Sequence, residues 1–533
     1  MSVHIALAQL NFIVGDIEGN TQKIIDTSKD QKEKGIDILL FPELCLTGYP
    51  PEDLLLREEC SQRVGASILR LKKEVEGIVI IIGFPDYRNG KRFNMAAAIY
   101  NGEILIEYRK RELPNYGVFD EKRYFSSGTE VSIFQFKGLV FSLAICEDVW
   151  FDKPIAEAAS AGAQVILNLN GSPFISGRSN QRKNAVSRLA KKHSVNIVYV
   201  NQVGGQDELV FDGGSFVVDK FGKFQCECEQ FVESVSDLTI SDSEEWSGGS
   251  ISENLENEEE IYKALVIGVR DYVKKSGFEG VVIGLSGGID SALTLAIAVD
   301  AIGANNVEVV LMPSRYTLKI SNEDALEQAK LLNVKHHLIP IEEAFSAFLS
   351  MLKDTFSDLP PDVTEENIQS RCRGLILMAL SNKTGKMLLT TGNKSEMSVG
   401  YATLYGDMNG GFAPLKDVPK LLVYKLSAWL NKNRKIIPKR VIERPPSAEL
   451  RFDQKDTDTL PDYEILDPIV RLYVEEDKSI NDIVKEGFEL KIVQKIIRLI
   501  DNSEYKRRQA PPGIKITQRA YGRDRRYPIV NAF

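Results

Sequence analysis

The chain has 533 residues, of which 43% are hydrophobic and 26% are charged. A chain of this length is expected to form about two to four domains, which can fold without disulfide or metal crosslinks. The 75 acidic and 66 basic residues give a net charge of -9, which argues against nucleic acid or a membrane surface as a partner because both attract basic proteins. With 4 histidines, a histidine-rich metal site is disfavoured, and catalytic bases are expected to be carboxylates or lysines.

The cysteine content and the hydropathy pattern indicate the cellular compartment of the protein. The 6 cysteines are sparse and include no Cys-x-x-Cys pair, which is typical of a reducing environment. The first residues lead directly into a strand-like stretch, and no segment approaches the roughly 18 consecutive apolar residues of a membrane span. We therefore expect a cytoplasmic protein.

Strand-like and helix-like segments alternate through the first half of the chain. Apolar runs predict strands at residues 3–10, 36–41, 78–83, 96–100, 104–108, 139–145, 165–169, 196–200 and 215–219. Helical periodicity occurs between them, for example at residues 20–34 and 60–75, and Asn101-Gly102 predicts a hairpin. Strands that alternate with helices, together with hairpins, predict an α/β domain with mixed sheets.

The composition changes near the middle of the chain. Residues 236–260 are acidic and poor in apolar residues, so we interpret them as a surface linker between a first domain, residues 1–235, and a second domain, residues 261–533. The second half continues with a predicted helix, a strand at residues 281–285, a Gly-rich turn, a helix and a strand at residues 307–312. This βαβ order predicts a doubly wound parallel sheet. His336 and His337, in a strand-like run, are interpreted as structural.

The end of the chain, residues 507–526, is locally basic and contains Pro511-Pro512-Gly513. Three roles fit a basic tail in an acidic protein. It can be a solvated surface, it can hold phosphate groups, or it can pack on a partner subunit.

Three reactive side chains follow apolar runs in the first half. They are Glu43, Lys110 and Cys146, and strand ends are where ligands bind in α/β folds. Glu43 can accept the thiol proton of Cys146, whose thiolate attacks a carbonyl carbon. Lys110, with Arg111 as a rival, can stabilise the charged intermediate, and Glu43 can return the proton to the leaving amine. Each residue alone is more commonly a core cysteine or a surface charge.

The sequence around these residues resembles the nitrilase, or carbon–nitrogen hydrolase, superfamily. The resemblance rests on Phe41-Pro42-Glu43-Leu44, on Lys110 followed by residues 113–121, and on Cys146-Glu147-Asp148-Val149-Trp150. It implies a four-layer α-β-β-α sandwich over about the first 235 residues, with Glu43, Lys110 and Cys146 as the catalytic triad. The resemblance to glutaminase members implies that Tyr116, Ser172 and Arg178 bind glutamine. Arg178 would suit the substrate carboxylate by bidentate pairing.

A Gly-rich turn in the second half has the pattern of an anion site. Backbone N–H groups at the start of the following helix can bind phosphate, Ser286 and Ser291 can add hydroxyl donors, and Asp290 can hold Mg²⁺. The lysine of a Walker A loop is absent. The string SGGIDS after an apolar strand resembles the pyrophosphatase loop of enzymes that cleave ATP between the α and β phosphates. That resemblance assigns ATP binding to Gly284, Leu285, Ser286, Gly287, Gly288, Ile289, Asp290 and Ser291.

Further strings resemble the NAD⁺ synthetase family. They are residues 366–371, residues 388–396, the Gly-rich residues 405–411 and residues 504–513. The resemblance implies a Rossmann-like fold of the adenine nucleotide α-hydrolase type from residue 261 onward. It implies that Thr391 contacts ATP and that Asn367, Glu396 and Lys506 contact deamido-NAD⁺. Glu396 would share Mg²⁺ with Asp290.

The two halves together resemble glutamine-dependent NAD⁺ synthetases. The resemblance implies that deamido-NAD⁺, ATP, glutamine and water give NAD⁺, AMP, pyrophosphate and glutamate. It also implies ammonia transfer between the domains and a homo-oligomer assembled through synthetase-domain dimers. Two alternatives stay open at this point, an amidase with a nucleotide-binding regulatory half and an ATP pyrophosphatase that acts on tRNA or another acid. Asparagine synthetase is disfavoured because Ser2 stands where that enzyme needs cysteine. GMP synthetase is disfavoured because its glutaminase uses a Cys-His-Glu triad, which differs from the motifs found here.

Overall fold

Two mixed sheets form the first of two units in the computed structural model, which describes residues 2–357, 359–458 and 460–531. The units are Met1–Glu256 and Asn257–Phe533. The strands of the first unit are β1 (Ser2–Gln9), β2 (Ile38–Leu40), β3 (Val79–Arg88), β4 (Lys91–Tyr100), β5 (Glu103–Arg109), β6 (Ile133–Phe136), β7 (Leu139–Ile145), β8 (Val165–Asn170), β9 (Asn196–Asn201), β10 (Val203–Gln206), β11 (Leu209–Asp212), β12 (Phe216–Val218), β13 (Phe224–Glu227), β14 (Ser234–Ser241) and β15 (Trp246–Ser247). Its helices are α1 (Ile17–Glu33), α2 (Glu58–Glu74), α3 (Glu121–Tyr124), α4 (Asp152–Ser160) and α5 (Arg178–His193), with 3₁₀ turns at Glu52–Leu56 and Cys146–Trp150.

The predicted four-layer sandwich is confirmed. A seven-stranded sheet has the order β15-β14-β1-β2-β3-β4-β5, and a six-stranded sheet has the order β13-β12-β9-β8-β7-β6. Their facing surfaces enclose one core, which includes Leu40, Ile81 and Leu143. Helices α1 and α2 cover the outer face of the first sheet, and α4 and α5 cover that of the second. Because both faces of the sheets are buried at their centres, central strands such as β2, β7 and β8 are near-continuous apolar runs.

The first part of the segment predicted as a linker belongs to the first sheet. Strand β14 pairs antiparallel with β1 from Ser2 opposite Ser241 to Gln9 opposite Ser234, and β15 pairs with β14. Alternate apolar residues such as Leu238 and Ile240 are buried in the core between the sheets. The acidic composition of residues 236–260 therefore reflects an edge of the sheet and the start of the next helix, at Asn257, more than a free segment.

A parallel sheet forms the centre of the second unit. Its strands are β16 (Val281–Gly284), β17 (Val307–Leu311), β18 (Lys335–Leu338) and β19 (Met387–Leu389). Its helices are α6 (Asn257–Lys275), α7 (Ile289–Ile302), α8 (Lys319–Leu331), α9 (Glu342–Leu352), α10 (Val363–Thr384), α11 (Lys394–Val399), α12 (Lys420–Asn433), α13 (Lys439–Glu443), α14 (Tyr463–Val470), α15 (Ile480–Lys485), α16 (Leu490–Asn502) and α17 (Glu504–Arg507). Short 3₁₀ turns lie at Ala304–Asn306 and Asp456–Asp458, and a π-helical turn at Arg471–Glu475.

The strand order of this sheet predicts where a ligand binds. The order is β18-β17-β16-β19, with all pairs parallel, which confirms the doubly wound prediction. The chain moves from β16 to one side and returns to the other side at β19, so a crevice opens beyond the carboxyl ends of these two strands. His336 and His337 lie in β18, where His337 contacts Glu308 at 3.0 Å. Within the described parts of the chain, no helix is both long and apolar enough to cross a membrane.

Candidate active sites

The three side chains predicted as a triad are buried in the first unit. Glu43, Lys110 and Cys146 follow β2, β5 and β7, and they are 0%, 1% and 5% exposed. The Nζ atom of Lys110 lies 2.7 Å from Oε1 of Glu43. Burial opposes the charge of Lys110, but Glu121 and Glu43 raise its pKa well above the usual range. Burial, and then the charge of Glu43, raise the pKa of the Cys146 thiol well above its ordinary value.

The carboxylate of Glu43 is held at both oxygens. Asn94 donates to Oε1 at 2.7 Å, and the backbone N–H of Gly171 donates to Oε2 at 2.9 Å. These bonds fix the orientation of a group that must receive and return a proton, because hydrogen-bond geometry comes first for a general base.

Glu121 is a functional candidate that the sequence interpretation did not assign. Its Oε1 lies 2.7 Å from Nζ of Lys110 and accepts a hydrogen bond from the Tyr49 hydroxyl at 3.1 Å. Burial raises the pKa of Glu121 to about 7, partly offset by Lys110. Glu121 is the first residue of α3 and ends the sequence motif that begins at Lys110. A carboxylate within that motif is the one sequence feature that could have indicated a role at the site. Lys110 is thus bound by two carboxylates.

Cys146 has a constrained backbone. Its φ of 44° lies in the left-handed region, which is unfavourable for a residue with a side chain and is often found at active sites. Asp148 stabilises the surroundings, because it accepts from the N–H groups of Ile145 at 2.9 Å and Glu112 at 2.9 Å and from the Tyr108 hydroxyl at 2.9 Å. Asp148 therefore ties the chain after Lys110 to the turn that carries Cys146.

Of the predicted glutamine residues, Tyr116 and Ser172 lie on loops and Arg178 is the first residue of α5. The hydroxyl of Tyr116 donates to Oε1 of Glu147 at 2.8 Å, and the positive charge of Arg178 lowers the pKa of both groups, although burial raises each one overall. Tyr116, Glu147 and Arg178 are therefore gathered next to Cys146. Ser172 is buried after β8, where its backbone N–H donates to Asn201 at 2.9 Å. Glu147 was not predicted as a site residue.

A cavity of about 300 Å³ opens in the second unit at the predicted crevice. Of the predicted ATP-binding residues, those that line it are Gly284, Leu285, Ser286, Gly288, Ile289, Asp290, Ser291 and Thr391. Gly287 does not line the cavity. Its φ is 79°, and a Cβ there would lie 2.2 Å from the carbonyl oxygen of Ser321, so this glycine permits the close packing of the turn.

The turn presents hydrogen-bond donors at the start of α7. The Ser291 hydroxyl donates to the carbonyl of Gly288 at 2.9 Å, and Ser286 Oγ lies 3.1 Å from Ser291 Oγ. No side chain caps the first turn of α7. The unpaired N–H groups and the positive end of the helix are suited to an anion.

Asp290 and Glu396, predicted to share a metal, contact the same lysine. Lys420 Nζ lies 2.5 Å from Asp290 and 3.5 Å from Glu396, and Asn393 donates to Asp290 at 2.9 Å. Burial raises the pKa of Glu396 to about 8, Asp290 acts in the same direction, and Lys420 opposes it. Neither Lys420 nor Asn393 was predicted, since a lysine after Pro419 at a helix start is an ordinary surface pattern.

The donor set at this position fits a magnesium ion that completes its coordination with phosphate. Mg²⁺ usually binds through one or two carboxylates together with substrate oxygens, and Asp290 and Glu396 supply two. Within the described ranges, no cluster of three or more histidine, cysteine or acidic side chains could hold a metal by itself.

Asn367 and Lys506, predicted to bind the dinucleotide, do not line the cavity. Asn367 accepts from the Thr403 hydroxyl at 2.8 Å. Lys506 donates to the carbonyl oxygens of Gly400 at 2.8 Å and Ala402 at 2.9 Å, and burial lowers its pKa. Both residues contact the segment after α11, of which Tyr401 and Ala402 do line the cavity.

The basic tail packs on its own unit beneath this site. Lys394 is 0% exposed, and its Nζ lies 2.6 Å from Glu475, 2.9 Å from Asp417 and 2.7 Å from the Thr517 hydroxyl. Asp417 also accepts from the N–H groups of Ile516 and Thr517 at 2.8 Å. The tail therefore anchors the start of α11 and the loop before Lys420.

A buried Glu-Lys-Cys cluster in one unit and a Gly-rich loop before a helix in the other are the arrangement expected of a two-part amidotransferase. A carbon-nitrogen hydrolase family model matches residues 4–247, and an NAD synthase family model matches residues 261–510. The glutamine-dependent NAD(+) synthetase of Acinetobacter baylyi is 47% identical, over 100% of this chain and 99% of that protein. The chain therefore belongs to the glutamine-dependent NAD(+) synthetases, ligases that use glutamine as the amide donor.

Solved structures agree with this assignment. The glutamine-dependent NAD+ synthetase from Acinetobacter baumannii in complex with ADP has a TM-score of 0.82 and 46% identity, covering 100% of this chain and 99% of that one. The enzyme from Cytophaga hutchinsonii has a TM-score of 0.88 at 23% identity, covering 100% and 98% of the two chains, which shows the shared fold. Because the similarity spans both units, the alternatives of a regulated amidase or of another ATP pyrophosphatase are not favoured.

Proposed function

We propose that the first unit hydrolyses L-glutamine at Glu43, Lys110 and Cys146, and that the second unit uses the ammonia to convert deamido-NAD⁺ into NAD⁺ with ATP. The products are AMP, pyrophosphate and glutamate. The observation that carries the proposal is that the buried Glu43, Lys110 and Cys146 cluster and a cavity of about 300 Å³ beside the Gly-rich turn occur in the separate units of one chain.

The amidase step follows from the buried charges. The thiol of Cys146 is protonated before substrate arrives, because its pKa is raised by burial and by Glu43. Glu43 accepts that proton as the sulfur attacks the amide carbon of glutamine, and the ammonium of Lys110 stabilises the oxyanion. Glu43 then gives the proton to the amide nitrogen, which leaves as ammonia, and a water activated by Glu43 hydrolyses the thioester to glutamate. Tyr116, Ser172 and Arg178 would hold the substrate, and Glu147 would face its amino group.

The synthetase step begins with ATP in the cavity. The Acinetobacter baumannii relative forms a complex with ADP, which supports the binding of an adenine nucleotide. The turn from Gly284 to Ser291 and the start of α7 would bind phosphates, with Thr391 nearby. A carboxylate oxygen of deamido-NAD⁺ attacks the α-phosphorus, pyrophosphate leaves, and ammonia then displaces AMP from the acyl adenylate. Lys420 would offset the negative charge that develops. Asp290 and Glu396 would hold Mg²⁺, which neutralises phosphate charge when bound.

Other parts of the proposal rest on the family resemblance. Asn367, Glu396 and Lys506 would contact the dinucleotide, and ammonia would pass from the first site to the second. We further propose a cytoplasmic homo-oligomer assembled through the synthetase units.

The test compares two nitrogen sources. NAD⁺ formation is measured with glutamine and, separately, with ammonium, in the wild type, in Cys146→Ala and in the control Cys60→Ala. Cys146→Ala should lose at least about 1,000-fold of the glutamine-dependent rate, since the nucleophile is removed, and should keep the ammonium-dependent rate. Equal loss with both sources, or no NAD⁺ formation by the wild type, would contradict the proposal.

A further inference from the structure

The cavity of the second unit is lined by cations that differ in how they are paired. Lys420 contacts two carboxylates, those of Asp290 and Glu396. Arg444 lies 3.8 Å from Glu449 and donates to the Ser321 hydroxyl at 2.8 Å. Their charges are thus balanced by groups of the protein itself.

Arg373 lines the same cavity without such a partner. Its Nε donates to the carbonyl oxygen of Met312 at 3.1 Å, and one Nη lies 3.5 Å from the Ser314 hydroxyl. Across the residues that the structure describes, no carboxylate lies within ion-pair distance of this guanidinium. Burial lowers the pKa of Arg373, and the more distant charge of Glu449 acts in the opposite direction. Arg373 is partly buried, and a cation that is removed from water is costly unless it is paired.

The position of Arg373 is set by tight packing of α10. The next residue, Gly374, has no room for a side chain, because a Cβ there would lie 2.6 Å from Nδ2 of Asn409 and 2.8 Å from the carbonyl of Gly406. Met312, which receives the Nε bond, comes directly after β17. The guanidinium is therefore held at the carboxyl end of the sheet, beside the turn that follows β16.

We propose that Arg373 binds a phosphate group of a nucleotide substrate in this cavity. Arginine pairs with phosphate through a planar, bidentate fork. Nε is bonded to Met312 and one Nη contacts Ser314 at the limit of hydrogen-bond distance, which leaves the remaining N–H groups of the two Nη atoms for the ligand. The inference rests on the proposed function, which brings two phosphate sources to this unit, ATP and deamido-NAD⁺. The phosphate of either would supply the missing negative charge.

Equilibrium binding distinguishes the two sources. Calorimetry on the full chain measures the affinities of ATP, deamido-NAD⁺ and adenosine for the wild type, Arg373→Met, Arg373→Lys and Lys383→Met. Lys383 is an exposed residue of the same helix and serves as the matched control. We expect Arg373→Met to weaken ATP or deamido-NAD⁺ by at least about tenfold, with adenosine affinity unchanged. Whichever nucleotide loses affinity is the source of the phosphate, and Arg373→Lys should lose less.

Two results would overturn the inference. One is wild-type affinity for both nucleotides in Arg373→Met. The other is an equal loss for adenosine and ATP, which would indicate a base contact or a packing defect. If Arg373→Met does not fold, the Arg373→Lys variant provides the test. Lysine cannot form a bidentate fork, so an unchanged nucleotide affinity in that variant would contradict the inference. A wild type that binds no ATP would instead refute the proposed function.

Discussion

The two sites differ in how far their charges are balanced before any substrate binds. In the first unit, Lys110 is enclosed by Glu43 and Glu121 and is almost inaccessible. In the second unit, Lys420 is paired but Arg373 has only neutral oxygen partners around an open cavity. The buried pairing of Lys110 suits the small amide substrate proposed for the first site. The second site needs its nucleotide to complete its electrostatics, which agrees with the larger and more highly charged substrates proposed for it.

Removal of a carboxylate from the second site should affect both nitrogen sources, in contrast to Cys146→Ala. Asp290→Asn leaves Lys420 with a weaker partner and removes one proposed metal ligand, so NAD⁺ formation should fall by at least about 100- to 1,000-fold with glutamine and with ammonium alike. Steady-state NAD⁺ assays measure this, with Asp354→Asn, an exposed residue, as the control. A variant that retains normal ammonium-dependent activity would exclude Asp290 from the site.

The buried network under the second site should contribute more to stability than any surface pair. Lys394→Met leaves Asp417 and Glu475 buried without their cation, which should lower the free energy of unfolding by about 3–5 kcal/mol. The control is Lys439→Met, because that lysine is 87% exposed and pairs with Glu443 on the helix surface, where a pair contributes about 0.5 kcal/mol. Denaturant unfolding measures both, and equal losses in the two variants would show that the network does not anchor the tail.

The smallest expected change is a shift in pH dependence at the first site. Glu121 raises the pKa of Lys110, so Glu121→Gln should let Lys110 lose its proton at lower pH. The alkaline limb of the glutamine-dependent kcat/KM should move down by at least about one pH unit, while the ammonium-dependent profile stays in place. Profiles that coincide with the wild type for both sources would mean that the charge of Lys110 does not depend on Glu121.

Patterns of a few consecutive residues predicted both folds and the grouping of side chains in the first site. The features that the sequence did not predict depend on contacts between residues far apart in the chain. Glu43, Lys110 and Cys146 each follow an apolar strand, which is a feature of a few consecutive residues. Lys420 meets Asp290 across 130 positions of sequence, and nothing near either residue indicates the contact. The linker prediction missed strand β14 because its pairing with β1 joins the two ends of the first unit. The structure brings Glu43, Lys110 and Cys146 together, but their assigned roles, like those of Asn367 and Lys506, stay predictions.

The packing of the tail implies that the two sites form one after the other during protein synthesis. Domains fold as they emerge, the N-terminal one first, and the strand that completes the first sheet, β15, ends at Ser247. By contrast, the buried Lys394 and Asp417 obtain all their hydrogen-bond partners only when Ile516 and Thr517 have been synthesised. A nascent chain, or one cut shortly before these residues, therefore carries the whole amidase cluster while the synthetase unit still lacks its anchor. By the proposed function, glutamine hydrolysis would begin in such a chain before there is a finished site to use the ammonia.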